Sequence, residues 1–193
     1  MGSKTLYISI SAGKYKGKKL LLPSLSSTRS TKSIIKESLF DTLQFDIVDE
    51  VFVEVFGGSG SMGLEALSRG AKEAYFIEKD KEAFLILEKN CHAIAPSQIH
   101  CIFGNSFTVF PKLLEKLTCK AFFYFDPPFS IREGMDDIYT QVLALIQSIP
   151  PLHVHIIVVE HMSSLILPNT IGAFYLHKRK KFGKTSLSYY LEH

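Results

Sequence analysis

No acidic residue occurs in the first 36 residues of this 193-residue chain, although the same stretch holds eight Lys or Arg residues. Residues 37–176 carry nine bases and eighteen acids, and residues 177–193 carry five bases and one acid, so the net charge of the chain is only +3. A basic arm and a basic tail therefore flank an acidic body. This division suits a polyanionic partner held by both ends of the chain, although lysine clusters also occur where they serve only solubility.

Cysteine and long apolar runs are scarce as well. Cys91, Cys101 and Cys119 form no CxxC pair and have no histidine placed to complete a metal site, so we expect reduced thiols, no bound metal and a cytoplasmic setting. Apolar runs such as Ala121–Phe125 are far too short to cross a bilayer, and no apolar signal region follows the basic N-terminus. With 46% hydrophobic residues, 12 Gly and 8 Pro, the chain is neither disordered nor collagen-like. We expect a soluble globular protein with no membrane partner.

Short β-branched or aromatic runs alternate with amphipathic stretches from position 33 onward. The runs predict strands at about 51–56, 74–78, 99–103, 121–125 and 154–159, and the stretches predict helices at 33–43, 63–69, 81–92, 107–117 and 139–147. Strands this apolar favour a parallel sheet covered on both faces. Residues 6–22 predict a small hairpin, and residues 172–177 and 185–190 predict two closing strands around a basic turn. We therefore expect an α/β fold with a mostly parallel seven-stranded sheet, an antiparallel edge and an N-terminal β-hairpin.

A glycine-rich loop directly follows the first strand of this predicted sheet. Gly58, Gly60 and Gly63 match G-x-G-x-x-G, which lets the backbone turn sharply and approach a ligand before the next helix begins. Glu78 ends the second strand twenty residues after Gly58, where a doubly wound fold places a carboxylate for ribose hydroxyls. Glu54, just before the loop, would repel a dinucleotide pyrophosphate but accept an ammonium group. S-adenosylmethionine suits both carboxylates, because it carries a ribose and an α-amino group.

A second motif, Asp126-Pro127-Pro128-Phe129, follows the predicted strand at 121–125. In an open α/β sheet this tetrapeptide faces the same crevice as the glycine loop. The prolines remove two N–H donors and leave acceptors, so Asp126 and the Pro127 carbonyl can accept both N–H bonds of an exocyclic amine and orient its lone pair. Phe129 would supply a stacking face. The simpler interpretation is a Pro-Pro turn with a helix-capping Asp.

Taken together, these motifs resemble those of the class I S-adenosylmethionine-dependent methyltransferases. Within that class, they closely resemble the motifs of the RsmD family. The glycine loop and D-P-P-F are shared by many methyltransferases, whereas Gly-Leu-Glu-Ala-Leu-Ser-Arg-Gly-Ala at 63–71 and the basic N-terminal segment are typical of RsmD. The matching positions are 54–71, 78–80, Asn90, 126–129, 11–20, Pro23, 28–31, 36–40, 181–183, Leu187 and Tyr190.

The resemblance implies methylation of the exocyclic N2 of a guanine in bacterial small-subunit ribosomal RNA, with the target base flipped out of its stack. It implies a domain division into a basic hairpin extension, 1–30, and a methyltransferase domain, 31–193, and a monomer whose partner is ribosomal RNA or the assembled small subunit. Catalytic positions are those of the D-P-P-F motif. The implied cofactor-binding residues are Glu54, Phe56, Gly57, Gly58, Gly60, Glu78, Lys79, Asn105, Ser106, Arg29 and Thr31. Phosphates would be bound by Lys14, Lys16, Lys18, Lys19 and Arg29.

The chain departs from the family pattern at three positions. The family usually has Asp at the positions of Glu54 and Asn105. Its usual Arg-Pro-Thr is Arg-Ser-Thr at 29–31 here, so that Ser30 replaces the proline. Other functions also suit the motifs. Adenine N6 and a glutamine amide are amines of the same kind, and a non-catalytic RNA-binding assembly factor could keep the fold. A nicotinamide oxidoreductase is disfavoured by Glu54 and by the acceptor-only D-P-P-F motif.

Overall fold

The computed structural model describes residues 6–23, 29–128 and 138–193, except for the side chains of residues 29–31. Short 3-10 helices occur at Gln44–Ile47 and Pro151–His153. The strands are β1 (Tyr7–Ser9), β2 (Lys19–Leu21), β3 (Val51–Glu54), β4 (Glu73–Glu78), β5 (Ile99–Phe103), β6 (Ala121–Phe125), β7 (Val154–Met162), β8 (Thr170–Ile171), β9 (Phe174–Phe182) and β10 (Thr185–Glu192). The helices are α1 (Arg29–Leu43), α2 (Ser61–Ser68), α3 (Lys81–Ile94), α4 (Ser106–Leu114) and α5 (Ile138–Gln147).

The main sheet has the strand order β5-β4-β3-β6-β7-β10-β9-β8, and β1 and β2 form a separate antiparallel hairpin. The strands from β5 to β7 pair in parallel, and β10, β9 and β8 add to them in antiparallel order. The central strands β3 and β6 are buried at every position, because helices cover both faces of the sheet. The predicted α/β architecture with an antiparallel edge is confirmed.

Two features of the closing strands differ from the prediction. The sheet has eight strands rather than seven, because the two-residue strand β8 adds to its edge. The basic stretch 178–184 is mostly strand, since β9 continues to Phe182 and the chain turns at Gly183, where φ is +61°. Lysines fit into this strand because their side chains alternate between its two faces. Lys180, for example, donates to the hydroxyls of Ser38 and Thr42 in α1, at 3.2 and 2.9 Å.

The sheet separates two apolar clusters. On one face, α1, α2, α3 and the β1–β2 hairpin pack against side chains such as Phe52 and Tyr124. On the other face, α4 and α5 pack against side chains such as Phe123 and Phe125. Within the described ranges, none of the helices combines the length and apolar character that crossing a membrane requires.

Glu65 in α2 connects the N-terminal hairpin to two helices. Its carboxylate is fully buried and accepts from the Ser11 N–H and hydroxyl at 2.8 and 2.7 Å and from the Ala12 N–H at 3.0 Å. It also pairs with Lys36 of α1 at 2.9 Å and with Arg69 at 3.0 Å. Burial alone would raise the pKa of Glu65, but the Lys36 ammonium and the Ser11 donors outweigh burial, and the pKa is lowered. Glu65 is therefore an ionised, buried carboxylate whose two oxygens both accept from donors and which joins the hairpin to α1 and α2.

Ser68, one helical turn after Glu65, makes a second connection to the hairpin. Its hydroxyl accepts from the Tyr15 N–H at 2.9 Å and donates to the Ala12 carbonyl at 2.5 Å. Gly13 has a φ of +79° and lies so close to the Ser68 carbonyl that a Cβ at this position would overlap it. Glycine is required here for both reasons.

Asn90 in α3 joins the hairpin to the glycine-rich loop. Its carboxamide bonds the N–H and the carbonyl of Leu21 in β2, both at 2.9 Å, and donates to the Ser59 carbonyl at 2.9 Å. Ile8 and Ile10 of the hairpin belong to the same apolar cluster as α1 to α3. The division of the chain into 1–30 and 31–193 stays a prediction.

Replacing Glu65 by alanine would leave the Lys36 ammonium, 1% exposed, without its counterion. Because an uncompensated buried charge is strongly unfavourable, we expect the free energy of unfolding to fall by about 3–5 kcal/mol in urea denaturation. Glu115, exposed at the end of α4, is the control, and E115A should lie within about 0.5 kcal/mol of the wild type. Equal stability of the two variants would contradict the role assigned to Glu65.

Candidate active site

Three carboxylates lie at the carboxyl ends of neighbouring parallel strands. Glu54 ends β3, Asp126 directly follows β6, and Glu160 lies in β7. Because side chains alternate along a strand, Asp126 and Tyr124 belong to one face of the sheet, and Glu54 and Glu160 share that face. Ligands of open α/β sheets bind at this edge.

An open cleft of about 400 Å³, including the space at its mouth, lies over these carboxylates. Glu54, Asp126 and Glu160 line it together with Lys32 of α1 and Phe56. Residues 57–59, 61 and 62 of the glycine-rich loop and the start of α2 complete its wall. The structure thus brings the glycine loop and the first residue of the D-P-P-F motif into one site.

The glycines of the loop serve different purposes. Gly58 has a φ of +52° and nothing within 4 Å of a Cβ built on it, so its left-handed conformation is what requires glycine. Gly60 has a φ of +75° and comes before the first turn of α2. A Cβ at Gly63 would overlap the ring of Phe76, so this glycine is required by packing. The three glycines of the motif are thus explained by a left-handed backbone at Gly58 and Gly60 and by packing at Gly63.

Two acids bind the backbone of this loop. Glu78 accepts from the Gly58 N–H at 2.8 Å and from the Asp80 N–H at 2.7 Å, which holds its carboxylate beside the loop. Glu54 accepts from the Gly63 N–H at 2.9 Å. Both acids predicted from the motif are therefore next to the glycine loop, Glu54 inside the cleft and Glu78 through this hydrogen bond.

The cleft holds more acid than base. Burial raises the pKa of Glu54 to about 8, and the nearby Asp126 adds to this rise, while the Gly63 N–H and Lys32 oppose it. Burial and the charge of Asp126 raise the pKa of Glu160 to about 8 as well. Desolvation also raises the pKa of Asp126, and Lys32 opposes that rise. Three carboxyl groups thus share one lysine, and a cationic ligand would find a favourable environment.

The loop after β5 carries the next predicted site residues. The Ser106 hydroxyl donates to the Val55 carbonyl at 2.6 Å, which ties this loop to the end of β3. Asn105 is exposed, and its side-chain oxygen caps α4 by accepting the Phe107 N–H at 3.0 Å. The rings of Phe56 and Phe107 lie edge to face with centroids 5.8 Å apart. Of these side chains Phe56 lines the cleft, and Phe107 packs against it.

The remaining predicted residues are placed less centrally. Pro127 is buried, Pro128 is exposed, and Lys79 is exposed after β4. Phe129 and the side chains of Arg29 and Thr31 lie outside the described residues. The four predicted RNA-binding lysines, Lys14, Lys16, Lys18 and Lys19, are all exposed in the hairpin.

Two charged cleft residues were not predicted from the sequence, Lys32 and Glu160. Glu160 directly follows the apolar run 154–159, so an acid at the end of a further parallel strand was the available signal. Lys32 precedes the predicted helix 33–43 among other lysines, and nothing in its local sequence distinguishes it.

The model of the family described as Conserved hypothetical protein 95 matches residues 8–191 of this chain. The chain belongs to this family. The resemblance to the RsmD methyltransferases is thereby confirmed, and the family match includes the hairpin, the glycine loop and the closing strands.

Individual relatives agree with this assignment. Ribosomal RNA small subunit methyltransferase D of Escherichia coli (strain K12) is 35% identical over 128 residues, which cover 66% of this chain and 62% of that protein. The alignment thus spans less than two thirds of this curated relative. YlbH of Bacillus subtilis (strain 168) is 26% identical over 181 residues, 93% of this chain and 96% of its own. The solved structure of yhhF from Escherichia coli has a TM-score of 0.74 at 28% identity and covers 97% of this chain and 98% of that one. The class I methyltransferase fold is confirmed.

The raised pKa of Glu54 predicts a pH-dependent stability for this family member. Above pH 4.5 the unfolded chain ionises this acid, whereas the folded protein keeps it protonated up to about pH 8, so stability falls between these values. Glu54→Gln removes this loss. We expect it to unfold at a temperature roughly 5 °C above the wild type at pH 8, and at nearly the same temperature at pH 5.

A thermal unfolding series from pH 5 to pH 8.5 checks this expectation. Glu115→Gln, at an exposed position, is the control and should follow the wild type at every pH. A difference between Glu54→Gln and the wild type that does not change with pH would contradict it.

Proposed function

We propose that this protein transfers the methyl group of S-adenosylmethionine to the exocyclic N2 of a guanine in small-subunit ribosomal RNA. The observation that carries the proposal is the position of Asp126 in the same cleft as Glu54 and the glycine loop. An acceptor for an amine would thus lie next to a site for a cationic cofactor. The Escherichia coli relative, named ribosomal RNA small subunit methyltransferase D, supports small-subunit ribosomal RNA as the substrate, and the choice of guanine N2 rests on the resemblance to the RsmD family.

The residues around the glycine loop fit the cofactor. Bound there, it would supply an electrophilic methyl group on a positively charged sulfur. Glu54 would attract its ammonium group, and Glu78, already held beside the loop by Gly58, would accept from the ribose hydroxyls. Phe56 and Asn105 would border the adenine, with Ser106 fixing their loop. Roles for Gly57, Gly60, Lys79, Arg29 and Thr31 rest on the family motif.

Asp126 and Pro127 would prepare the amine for transfer. The carboxylate and the Pro127 carbonyl accept one N–H each, which directs the nitrogen lone pair toward the methyl carbon. A bound cofactor would supply the methyl group and would keep the electron pair of the broken C–S bond on its sulfur, while Asp126 and Pro127 would hold the accepting nitrogen. One N–H proton then leaves, and the raised pKa of Asp126 makes its carboxylate a suitable acceptor. In this proposal Pro128 fixes the backbone and Phe129 stacks on the base.

The basic hairpin would hold the RNA away from the cleft. The backbone N–H of Lys14 donates to the carbonyl of Ser68, at the C-terminal end of α2. The cleft lies at the opposite end of this helix. The eight residues of α2 span roughly 12 Å, so these lysines would meet phosphates a few nucleotides from the target base. We expect the lysines to bind without reading sequence.

The proposal includes a monomer that works in the cytoplasm. Cys91, Cys101 and Cys119 are all free thiols, which suits a reducing compartment. Within the described ranges no three His, Cys, Asp or Glu side chains are grouped to hold a metal ion. The absence of a metal requirement stays a prediction.

Methyl transfer onto purified small subunits lacking the modification tests the proposal directly. With labelled S-adenosylmethionine, we expect N2-methylguanosine in the nuclease digest, identified by mass. Asp126→Ala should lower the rate at least about 10²-fold, because the amine loses its oriented acceptor. Asp46→Ala, an exposed acid outside the cleft, is the matched control and should keep the wild-type rate.

Other products would identify the alternatives. Methylated adenine N6 or a methylated glutamine would replace the proposed substrate, and tight RNA binding without any methylated product would indicate a non-catalytic assembly factor. Wild-type transfer by Asp126→Ala would overturn the mechanism.

Replacing all four hairpin lysines, 14, 16, 18 and 19, by glutamine should weaken RNA binding and flatten its salt dependence. In a plot of the logarithm of the RNA association constant against the logarithm of the salt concentration, the slope is negative. We expect its magnitude to shrink by about 0.7–0.9 for each phosphate that a lysine no longer neutralises. Cofactor affinity, measured by calorimetry, should stay nearly unchanged. The control changes four exposed lysines elsewhere, Lys72, Lys112, Lys116 and Lys120, to glutamine. Equal effects of the two sets would show that only total charge matters.

A further inference from the structure

Glu160 is a buried acid of the cleft to which the proposed chemistry assigns no role. It is 6% exposed, and it lines the cleft beside Asp126 because Val159 of β7 is paired with Phe125 of β6. A carboxyl group buried at a ligand-binding edge is costly to keep there, and such groups are found mainly where they do chemistry or recognition.

The strand order places Glu160 on the substrate side of Asp126. The glycine loop follows β3 and Glu78 ends β4, and both strands lie on one side of β6. β7 with Glu160 lies on the other side. A cofactor seated on the glycine loop leaves the space over Glu160 for the base whose amine reaches Asp126.

A hydrogen bond holds the Glu160 side chain in place. The Tyr124 hydroxyl donates to its Oε2 atom, and Tyr124 is itself fully buried below Asp126 in β6. With Oε2 engaged by Tyr124, Oε1 is the oxygen that a ligand in the cleft can meet. A carboxyl group held by a buried tyrosine presents an acceptor at a defined position.

The guanine edge matches an acceptor at that position. The N1–H of guanine is adjacent to its N2 amine, so a base whose N2 hydrogens reach Asp126 and the Pro127 carbonyl brings N1–H toward the neighbouring strand. Adenine and 2-aminopurine have a lone pair at N1 instead, which an ionised Glu160 would repel. The positive charge of a bound S-adenosylmethionine would oppose the rise in the pKa of Glu160 and favour this ionised form. Flipped bases are commonly read by hydrogen bonds to this edge.

We propose that Glu160 accepts the N1–H of the target base and thereby selects guanine. This assignment rests on the proposed function, since it concerns the substrate of the same cleft. It makes Glu160 a specificity-determining residue and Tyr124 its positioning residue. Asp126 and Pro127 act on the amine, and Glu160 acts on the neighbouring ring nitrogen.

The test compares guanine with 2-aminopurine, which keeps the N2 amine but has no N1–H, at the mapped target position of reconstituted small subunits. For the wild type, we expect kcat/KM for guanine to exceed that for 2-aminopurine by at least about 10²-fold, because sites built around a hydrogen bond reject analogues that lack it. Glu160→Gln can donate its amide N–H to the N1 lone pair of 2-aminopurine. We expect it to reduce this preference to roughly tenfold or less.

Two controls separate recognition from folding. Calorimetric affinity for S-adenosylhomocysteine should be the same for Glu160→Gln and the wild type, which a damaged cleft would not allow. Tyr124→Phe should lower the preference for guanine partly, because Glu160 stays but loses its positioning hydrogen bond.

The outcomes distinguish this assignment from the proposed function. The wild type could methylate subunits that carry guanine at the target position while Glu160→Gln keeps the same preference for guanine. This result would overturn the role of Glu160 and leave the proposed function intact. Absence of any guanine N2 methylation by the wild type would overturn the proposed function and, with it, this assignment.

Discussion

A carboxylate removed from water must find donors or a counterion, and this constraint divides the buried acids of the protein into two groups. Glu65 receives donors from the hairpin, from Lys36 and from Arg69, and its pKa is lowered. Glu54 and Glu160 have fewer donors, share Lys32 with Asp126, and have raised pKa values. The first group holds the fold together. The second lies in the cleft and leaves a deficit of positive charge that a cationic ligand would offset.

The same contacts make the hairpin and the cleft one structural unit. Glu65 and Ser68 fix the hairpin on α2, and Asn90 bonds both Leu21 of the hairpin and Ser59 of the glycine loop. The part of the family motif that is typical of RsmD therefore has a mechanical explanation. Gly-Leu-Glu-Ala-Leu-Ser-Arg-Gly-Ala supplies Glu65 and Ser68, which hold the hairpin on α2, and the opposite end of α2 borders the cleft.

Sequence patterns predicted the parallel strands well, since β3 to β7 contain short apolar runs bounded by loops and β3 to β6 each lead to a helix. They also predicted that Glu54 and Asp126 meet, because parallel strands end at one edge. The extent of β9 was not predictable from its lysines, since the partners of Lys180, Ser38 and Thr42, are distant in sequence. Glu160 follows a predicted strand, but the strand order that sets it beside Asp126 cannot be read from the sequence. Lys32 was missed because its place in the cleft depends on the path of α1.

The central claim is that the cleft holds S-adenosylmethionine with its reactive group directed at Asp126. A crystal structure with sinefungin, in which a carbon bearing an amine replaces the sulfur bearing the methyl group, tests this most directly. We expect the amino acid end of sinefungin near Glu54, its ribose on Glu78, and the added amine within hydrogen-bonding distance of Asp126 or the Pro127 carbonyl. Sinefungin bound outside the cleft, or bound with that amine turned away from Asp126, would contradict the claim.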